Sequence, residues 1–202
     1  LFVDGATINQ VDRCLKKFGM PLGPLALADN VGLDVGVNVL KVLNNAYGER
    51  MKVAEFAPIA LKEHKWLGKK VSKGFYQYSS AGKFNVHKEM ELLIHSFKVN
   101  GKQSPSEQDI VERCIFLMFN EATRCLDESI VMDADQLDFA MIMGVGFPPY
   151  LGGLCKYAEM KGLSYVVSRL SHFENIYGAR FTPSEFLITL EKNNKTLFYK
   201  EK

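Results

Sequence analysis

The sequence states one pattern twice, and a chain that does so buries its apolar faces by building the same small helical unit twice. Asn9-Gln10-Val11-Asp12 lies over Asp135-Gln136-Leu137-Asp138. Each copy continues into an apolar helical stretch that stops at Gly19 or Gly146 and turns through Met20-Pro21 or Phe147-Pro148. The second copy has a short insertion around this turn, after which Asp29-Asn30-Val31-Gly32-Leu33 lies over Glu159-Met160-Lys161-Gly162-Leu163. The same register carries Tyr47-Gly48-Glu49-Arg50 onto Tyr177-Gly178-Ala179-Arg180.

The periodicity inside each copy is helical. Ile8, Val11, Leu15 and Phe18 recur on one face, and Gly19 is a natural stop. Pro24 suits the first turn of a following helix, whose stripe runs Leu27, Val31, Val35, Val39, Val42 to about Tyr47 with Gly48 as its cap. In the second copy Leu163, Val166, Val167, Leu170 and Phe173 form the equivalent face, closed by Gly178. A further helix from about Pro105 to Leu126 opens the second copy behind Ser104-Pro105-Ser106, with Ile110, Val111, Cys114, Leu117, Met118 and Cys125 as its stripe. The first copy has no such opening helix, and the register places its counterpart before Leu1. Only Gly74-Phe75-Tyr76-Gln77-Tyr78 reads as a brief strand. The expected fold class is all-α, two repeated helical bundles packed together. Residues 1–78 form the first, truncated at its opening helix; 79–102 form a linker with a short amphipathic turn around Met90–Leu93; 103–202 form the second.

Composition excludes several functional classes. With 25 basic against 23 acidic residues, the charge gives no case for nucleic acid or for an anionic membrane. There is no apolar run long enough to predict a transmembrane helix. Cys14, Cys114, Cys125 and Cys155 show no paired spacing, which favours a reducing compartment. His64, His87, His95 and His172 show no metal-ligand spacing.

The motifs bear a resemblance. Phe18-Gly19-Met20-Pro21-Leu22-Gly23-Pro24, followed by Leu27-Ala28-Asp29 and Gly32-Leu33-Asp34, resembles the 3-hydroxyacyl-CoA dehydrogenase C-terminal domain. So does Gly68-Lys69-Lys70-Val71-Ser72-Lys73-Gly74-Phe75-Tyr76, with Val71 and Ser72 where that family carries Thr and Gly. Phe119-Asn120-Glu121-Ala122 through Gly152-Gly153, and Tyr177-Gly178 through Thr182-Pro183, resemble the second helical domain of the α-subunit of the β-oxidation multienzyme. The resemblance implies an enzyme that oxidises (3S)-hydroxyacyl-CoA to 3-ketoacyl-CoA with NAD. Its catalytic His–Glu pair, its NAD-binding domain and a hydratase domain would lie upstream, and no G-x-G-x-x-G follows a strand in these residues. This segment would close the substrate cleft and scaffold assembly, inactive by itself; the alternative is a purely structural assembly or dimerisation module. Implied partners are the acyl-CoA substrate, the upstream domains and a thiolase β-subunit. The implied compartment is the bacterial cytoplasm, with the mitochondrial matrix as the alternative.

Tyr157 is the site residue to single out. It follows Gly152-Gly153 by helical spacing, where the resemblance implies a tyrosine near the acyl-CoA, and a ring with a phenol can line a channel and bond a thioester. The competing reading is a partly buried core tyrosine. Asn120 and Glu121 read as polar contacts that cap a neighbouring helix rather than as catalytic groups, and Asp29 and Glu159 as packing or helix-end contacts. Lys69, Lys70 and Lys73 read either as a solvated cluster or as contacts to CoA phosphates.

Overall fold

The computed structural model describes residues 1–99 and 101–198. They fall into two compact units: Leu1–Lys17 with Leu22–Ile110, and Phe18–Pro21 with Val111–Lys202. No helix among the described residues is long and apolar enough to cross a membrane.

In the first unit, α1 (Ile8–Phe18) starts where the Thr7 hydroxyl accepts the Gln10 N–H, and it buries Ile8, Val11, Cys14 and Leu15. Next come α2 (Pro24–Val31), α3 (Leu33–Tyr47) and α4 (Phe56–Lys62). The hairpin β1 (Tyr76–Tyr78) and β2 (Phe84–Val86) pairs antiparallel, with Gln77 opposite Asn85, and α5 (Lys88–Ser96) follows. Ile8, Ala26, Ala60, Trp66, Phe75, Tyr76, Met90 and Ile94 form one buried cluster. Each large side chain of this cluster removed from water contributes about 1.5–3 kcal/mol to the stability of the unit.

The second unit opens with most of α6 (Glu107–Asp127) and continues through α7 (Ala134–Ala140), α8 (Leu154–Lys161), α9 (Leu163–Tyr177) and α10 (Glu185–Lys192). A single π-type turn, Met141–Val145, extends α7. Phe116, Phe119, Leu154, Val166, Leu170, Phe173 and Leu187 are fully or almost fully buried.

The all-α expectation holds, with the one hairpin as its exception. Four local readings need correction. The stretch from Pro24 to Tyr47 is two helices, because Gly32 takes φ 103°, which a helix does not accommodate; Gly162 does the same at φ 91° between α8 and α9. The stripe Leu27, Val31, Val35, Val39 and Val42 is 42–68% exposed, so apolar spacing there does not mark the core. On α6 the enclosed face runs Ile110, Glu112, Arg113, Ile115, Phe116, Phe119, Asn120 and Thr123. Glu112, Asn120 and Thr123 bond partners elsewhere in the chain and the Arg113 guanidinium lies over the Tyr177 ring, which hides the face from a hydrophobicity count. Within 79–102, where a linker with a short turn was expected, lie β2 and the nine-residue α5, whose Met90 and Ile94 are 0% and 2% exposed.

The structure also lengthens the repeat. Glu55-Phe56 lies over Glu185-Phe186, Lys62 over Lys192 and Leu67 over Leu197, so that α4 is the counterpart of α10.

Candidate functional site

Two buried carboxylates position the helices that carry the candidate residues. Asp12 on α1 accepts the N–H of Leu25 at 2.8 Å and of Ala26 at 3.0 Å, the first turn of α2, and the Tyr76 hydroxyl at 2.8 Å. Asp138 on α7 does the same for α8, accepting from Cys155 at 2.6 Å and Lys156 at 3.0 Å. A carboxylate there satisfies N–H groups that a helix start leaves open and meets its positive end. Burial pushes the Asp138 carboxyl above the usual range, opposed by the bonds it accepts. The approach is so close that a Cβ on Gly23 or Gly153 would collide with the Asp12 or Asp138 side chain.

Tyr157 sits one turn into α8. Its ring stands edge-on to Phe18 at 5.2 Å and tilted to Phe147 at 6.2 Å, with the Lys161 ammonium 5.7 Å from its centroid. It is half-buried, and burial, then the Glu112 charge and Tyr165, raise its phenol pKa. The hydroxyl is thus neutral at physiological pH, a donor rather than a base.

The remaining candidates are held by backbone or by ion pairs. Asn120 is wholly buried; it donates to the Thr182 carbonyl and accepts the Ser184 N–H, both at 2.8 Å, at the start of α10. Glu121 pairs with Arg124 on its own helix. Asp29 accepts from Phe75 and Tyr76 N–H at 2.8 Å and from the Tyr78 hydroxyl at 3.0 Å, and burial raises its pKa. Glu159, its counterpart, accepts from Leu197 N–H and the Thr196 hydroxyl. Lys70 is paired with Asp34, at 2.6 and 2.7 Å from its two oxygens, and holds that carboxyl below its usual range; Lys69 and Lys73 are exposed. His87 is buried with Nδ1 on the Gly74 carbonyl and Nε2 3.5 Å from Glu89.

Two clefts open on the first unit, and Tyr157 and His87 line neither. One, of about 670 Å³, lies between α1 and the hairpin, with Asn9, Arg13, Lys16, Lys17 and Phe84 at its edge. Arg13 and Lys17 are each 2.9 Å from a Glu107 oxygen, which offsets much of its positive charge. The other, of about 400 Å³, is an apolar groove between α2, α3 and α4.

A dinucleotide pyrophosphate needs open N–H groups at a glycine-rich turn that starts a helix. At α2 and α8 those N–H groups are taken by Asp12 and Asp138, so these residues do not fit NAD. Asp12 and Asp138 were legible in the sequence as repeat markers but not as helix caps; the signal was an aspartate recurring before Gly23-Pro24 and Gly152-Gly153.

Residues 1–78 match the model of the 3-hydroxyacyl-CoA dehydrogenase C-terminal domain. The similarity to known proteins extends beyond these residues. The whole chain aligns, at 38% identity over 208 residues, with the fatty acid oxidation complex subunit alpha of Shewanella frigidimarina, and it spans 28% of that relative's length. Two solved structures share its fold. The dehydrogenase part of multifunctional enzyme 1 from C. elegans superposes with a TM-score of 0.67 at 23% identity, covering 92% of this chain and 42% of that one. For 3-hydroxybutyryl-CoA dehydrogenase from Escherichia coli K12 the TM-score is 0.70 at 18% identity, covering 93% and 55%.

Proposed function

We propose that this chain is the C-terminal part of a fatty acid β-oxidation enzyme that oxidises (3S)-hydroxyacyl-CoA to 3-ketoacyl-CoA with NAD. The observation that carries the reading is the 38% identity to a fatty acid oxidation complex α-subunit over the full chain, both repeats included. In this reading the His–Glu pair and the nucleotide-binding and hydratase domains belong to other parts of the polypeptide. The present residues close the acyl-CoA cleft and brace it, and Tyr157 lines that cleft, its neutral phenol donating to the thioester. A thiolase β-subunit is the partner and the bacterial cytoplasm the compartment, with the mitochondrial matrix as the alternative.

The test is NAD reduction, followed by absorbance, with (3S)-hydroxyacyl-CoA substrates of several chain lengths. The polypeptide that joins these residues to a dinucleotide-binding domain turns over; residues 1–202 alone do not. Tyr157→Phe keeps the ring packed and raises KM or lowers kcat. Turnover by residues 1–202 alone would overturn the proposal, and unchanged kinetics in Tyr157→Phe would assign that ring to the core.

A further inference from the structure

Helices α1 and α7 are counterparts in the repeat, yet their outer faces differ in chemistry. With Asp12 laid on Asp138, Gln10 falls on Gln136, Arg13 on Phe139 and Lys17 on Met143. In the first repeat the chain itself meets that face: Gln10 donates to the Pro105 carbonyl, and Arg13 and Lys17 each stand 2.9 Å from a Glu107 oxygen. In the second, Phe139 and Met143 are 67% and 70% exposed, and Ile130 and Met132, in the turn leading into α7, are 69% and 81% exposed. Met132, Phe139 and Met143 recur at the spacing of one helical face, a stripe about 16 Å long at a rise of about 1.5 Å per residue. The π-type turn lengthens it. Gly146, the counterpart of Gly19, comes one residue later than the register of Asp12 on Asp138 requires, and Met141–Val145 takes up the additional residue.

Large apolar side chains clustered on a surface mark a place where something packs, and methionine adapts well to a partner's shape. The charge around this stripe is of one sign. No Lys, Arg or His stands between Arg124 and Lys156, whereas Asp127, Glu128 and Asp135 are exposed there, Asp135 one turn before Phe139. Among the described residues none of these three is in an ion pair. We propose that this face of α7 is a docking surface for a basic amphipathic α-helix of another protein. Its apolar side packs on Met132, Phe139 and Met143, and its Lys or Arg side chains meet the carboxylates. A straight apolar stripe along one helix is matched by a ridge of a second, and cations at its edge gain steering and selectivity from an acidic rim. A second copy of this chain would bring like charges together, and an anionic membrane would be repelled. The inference stands on the repeat and on the surface chemistry, not on the proposed activity.

The probe is a synthetic four-turn amphipathic peptide of Leu and Lys, titrated into the 202-residue chain at low salt and followed calorimetrically. It binds saturably and slows amide exchange over residues 130–145, and a peptide of the same pattern with Glu for Lys does not bind. Phe139→Arg with Met143→Lys writes the first repeat's residues into the second at exposed positions, keeps the parent's circular dichroism, and weakens binding about tenfold or more. Asp127→Asn with Asp135→Asn weakens it about threefold or more and flattens its salt dependence. Leu92→Ser, at a position 71% exposed on α5, leaves it unchanged. No saturable binding, equal binding of the Glu peptide, or unchanged binding in either double variant overturns the proposal. So does a concentration-dependent dimer, or adhesion to neutral phosphatidylcholine vesicles, that Phe139→Arg with Met143→Lys abolishes; these would give the face to a second copy or to lipid.

Discussion

Replacing Asn120 by Ala tests whether this buried amide is structural. Its side chain closes the start of α10 against α6, accepting the Ser184 N–H and donating to the Thr182 carbonyl, both at 2.8 Å. Truncation leaves the Ser184 N–H, on a residue 3% exposed, without its acceptor, a cost of about 1–3 kcal/mol. The Thr182 carbonyl keeps the Arg124 guanidinium at 3.0 Å, so its loss is one bond of about 1 kcal/mol. Ser184 also caps α10 through the Leu187 N–H and shares a 2.7 Å bond with Thr123, so the disturbance reaches the cap. The expected total is about 3 kcal/mol, which for a slope of about 2 kcal/mol per molar moves the urea midpoint by about 1.5 M. Circular dichroism gives the midpoint, and amide exchange at Ser184 and Leu187 should quicken in step. Asn120→Asp separates geometry from polarity. It keeps the acceptor but sets a buried charge against a carbonyl, so at neutral pH it is at least as unstable as the alanine variant. A loss below about 1 kcal/mol in Asn120→Ala, or an aspartate variant as stable as the parent at pH 7, would refute the account.

Other changes probe the remaining devices. Ser72→Gly relieves a left-handed residue at φ 59° and should raise the urea midpoint by the equivalent of about 0.5–1 kcal/mol. Gly153→Ala adds a Cβ that collides with Asp138 at φ 116° and should cost about 3 kcal/mol or more, whereas Gly82→Ala, at φ 75° in open space, costs only about 1 kcal/mol of strain. Burial lifts the Asp138 carboxyl above its ordinary 3.8, so between that value and its folded pKa the folded chain holds more protons than the unfolded one. Its contribution therefore falls as pH rises through that window, and urea midpoints for Asp138→Asn across pH 3.8 to 7 should show a flatter decline than the parent's.

What the sequence revealed, and what it hid, follows from which residues carry the contacts. Backbone-dictated features were legible: Gly19 as a stop, Pro24 as a start, Gly48 and Gly178 as paired ends. Features set by tertiary satisfaction were not. Glu112, Arg113 and Thr123 lie off the apolar stripe of α6, yet all are buried, because α9 and the segment between α9 and α10 supply their partners. Conversely Val35, Val39 and Val42 look like core and are exposed, since a stripe only says which face is apolar, not that something covers it. Asn120 was read as a contact that caps a neighbouring helix, and its two bonds at the start of α10 are of that kind. Tyr157 was legible as a position and not as a role, because a T-shaped aromatic cluster is what either a channel wall or a core presents.

The buried acids give the chain its character. A carboxyl buried in a protein interior is an ordinary first candidate for acid–base chemistry. Here Asp12 and Asp138 hold the first turns of α2 and α8, Asp29 holds β1 and the residue before it, Glu112 holds Tyr165 and Arg169, and Asp4 meets Lys102 at 2.9 Å. A base must offer a lone pair to a proton in a cleft. The oxygens of Asp12, Asp29 and Asp138 instead face N–H and hydroxyl donors that the fold itself supplies, and the same solution appears in both repeats. Two copies of one arrangement, each spending its aspartate on a helix start, describe a rigid support. The function proposed above accords with this use of the aspartates, since in it the helices shape a cleft and other residues of the polypeptide supply the chemistry.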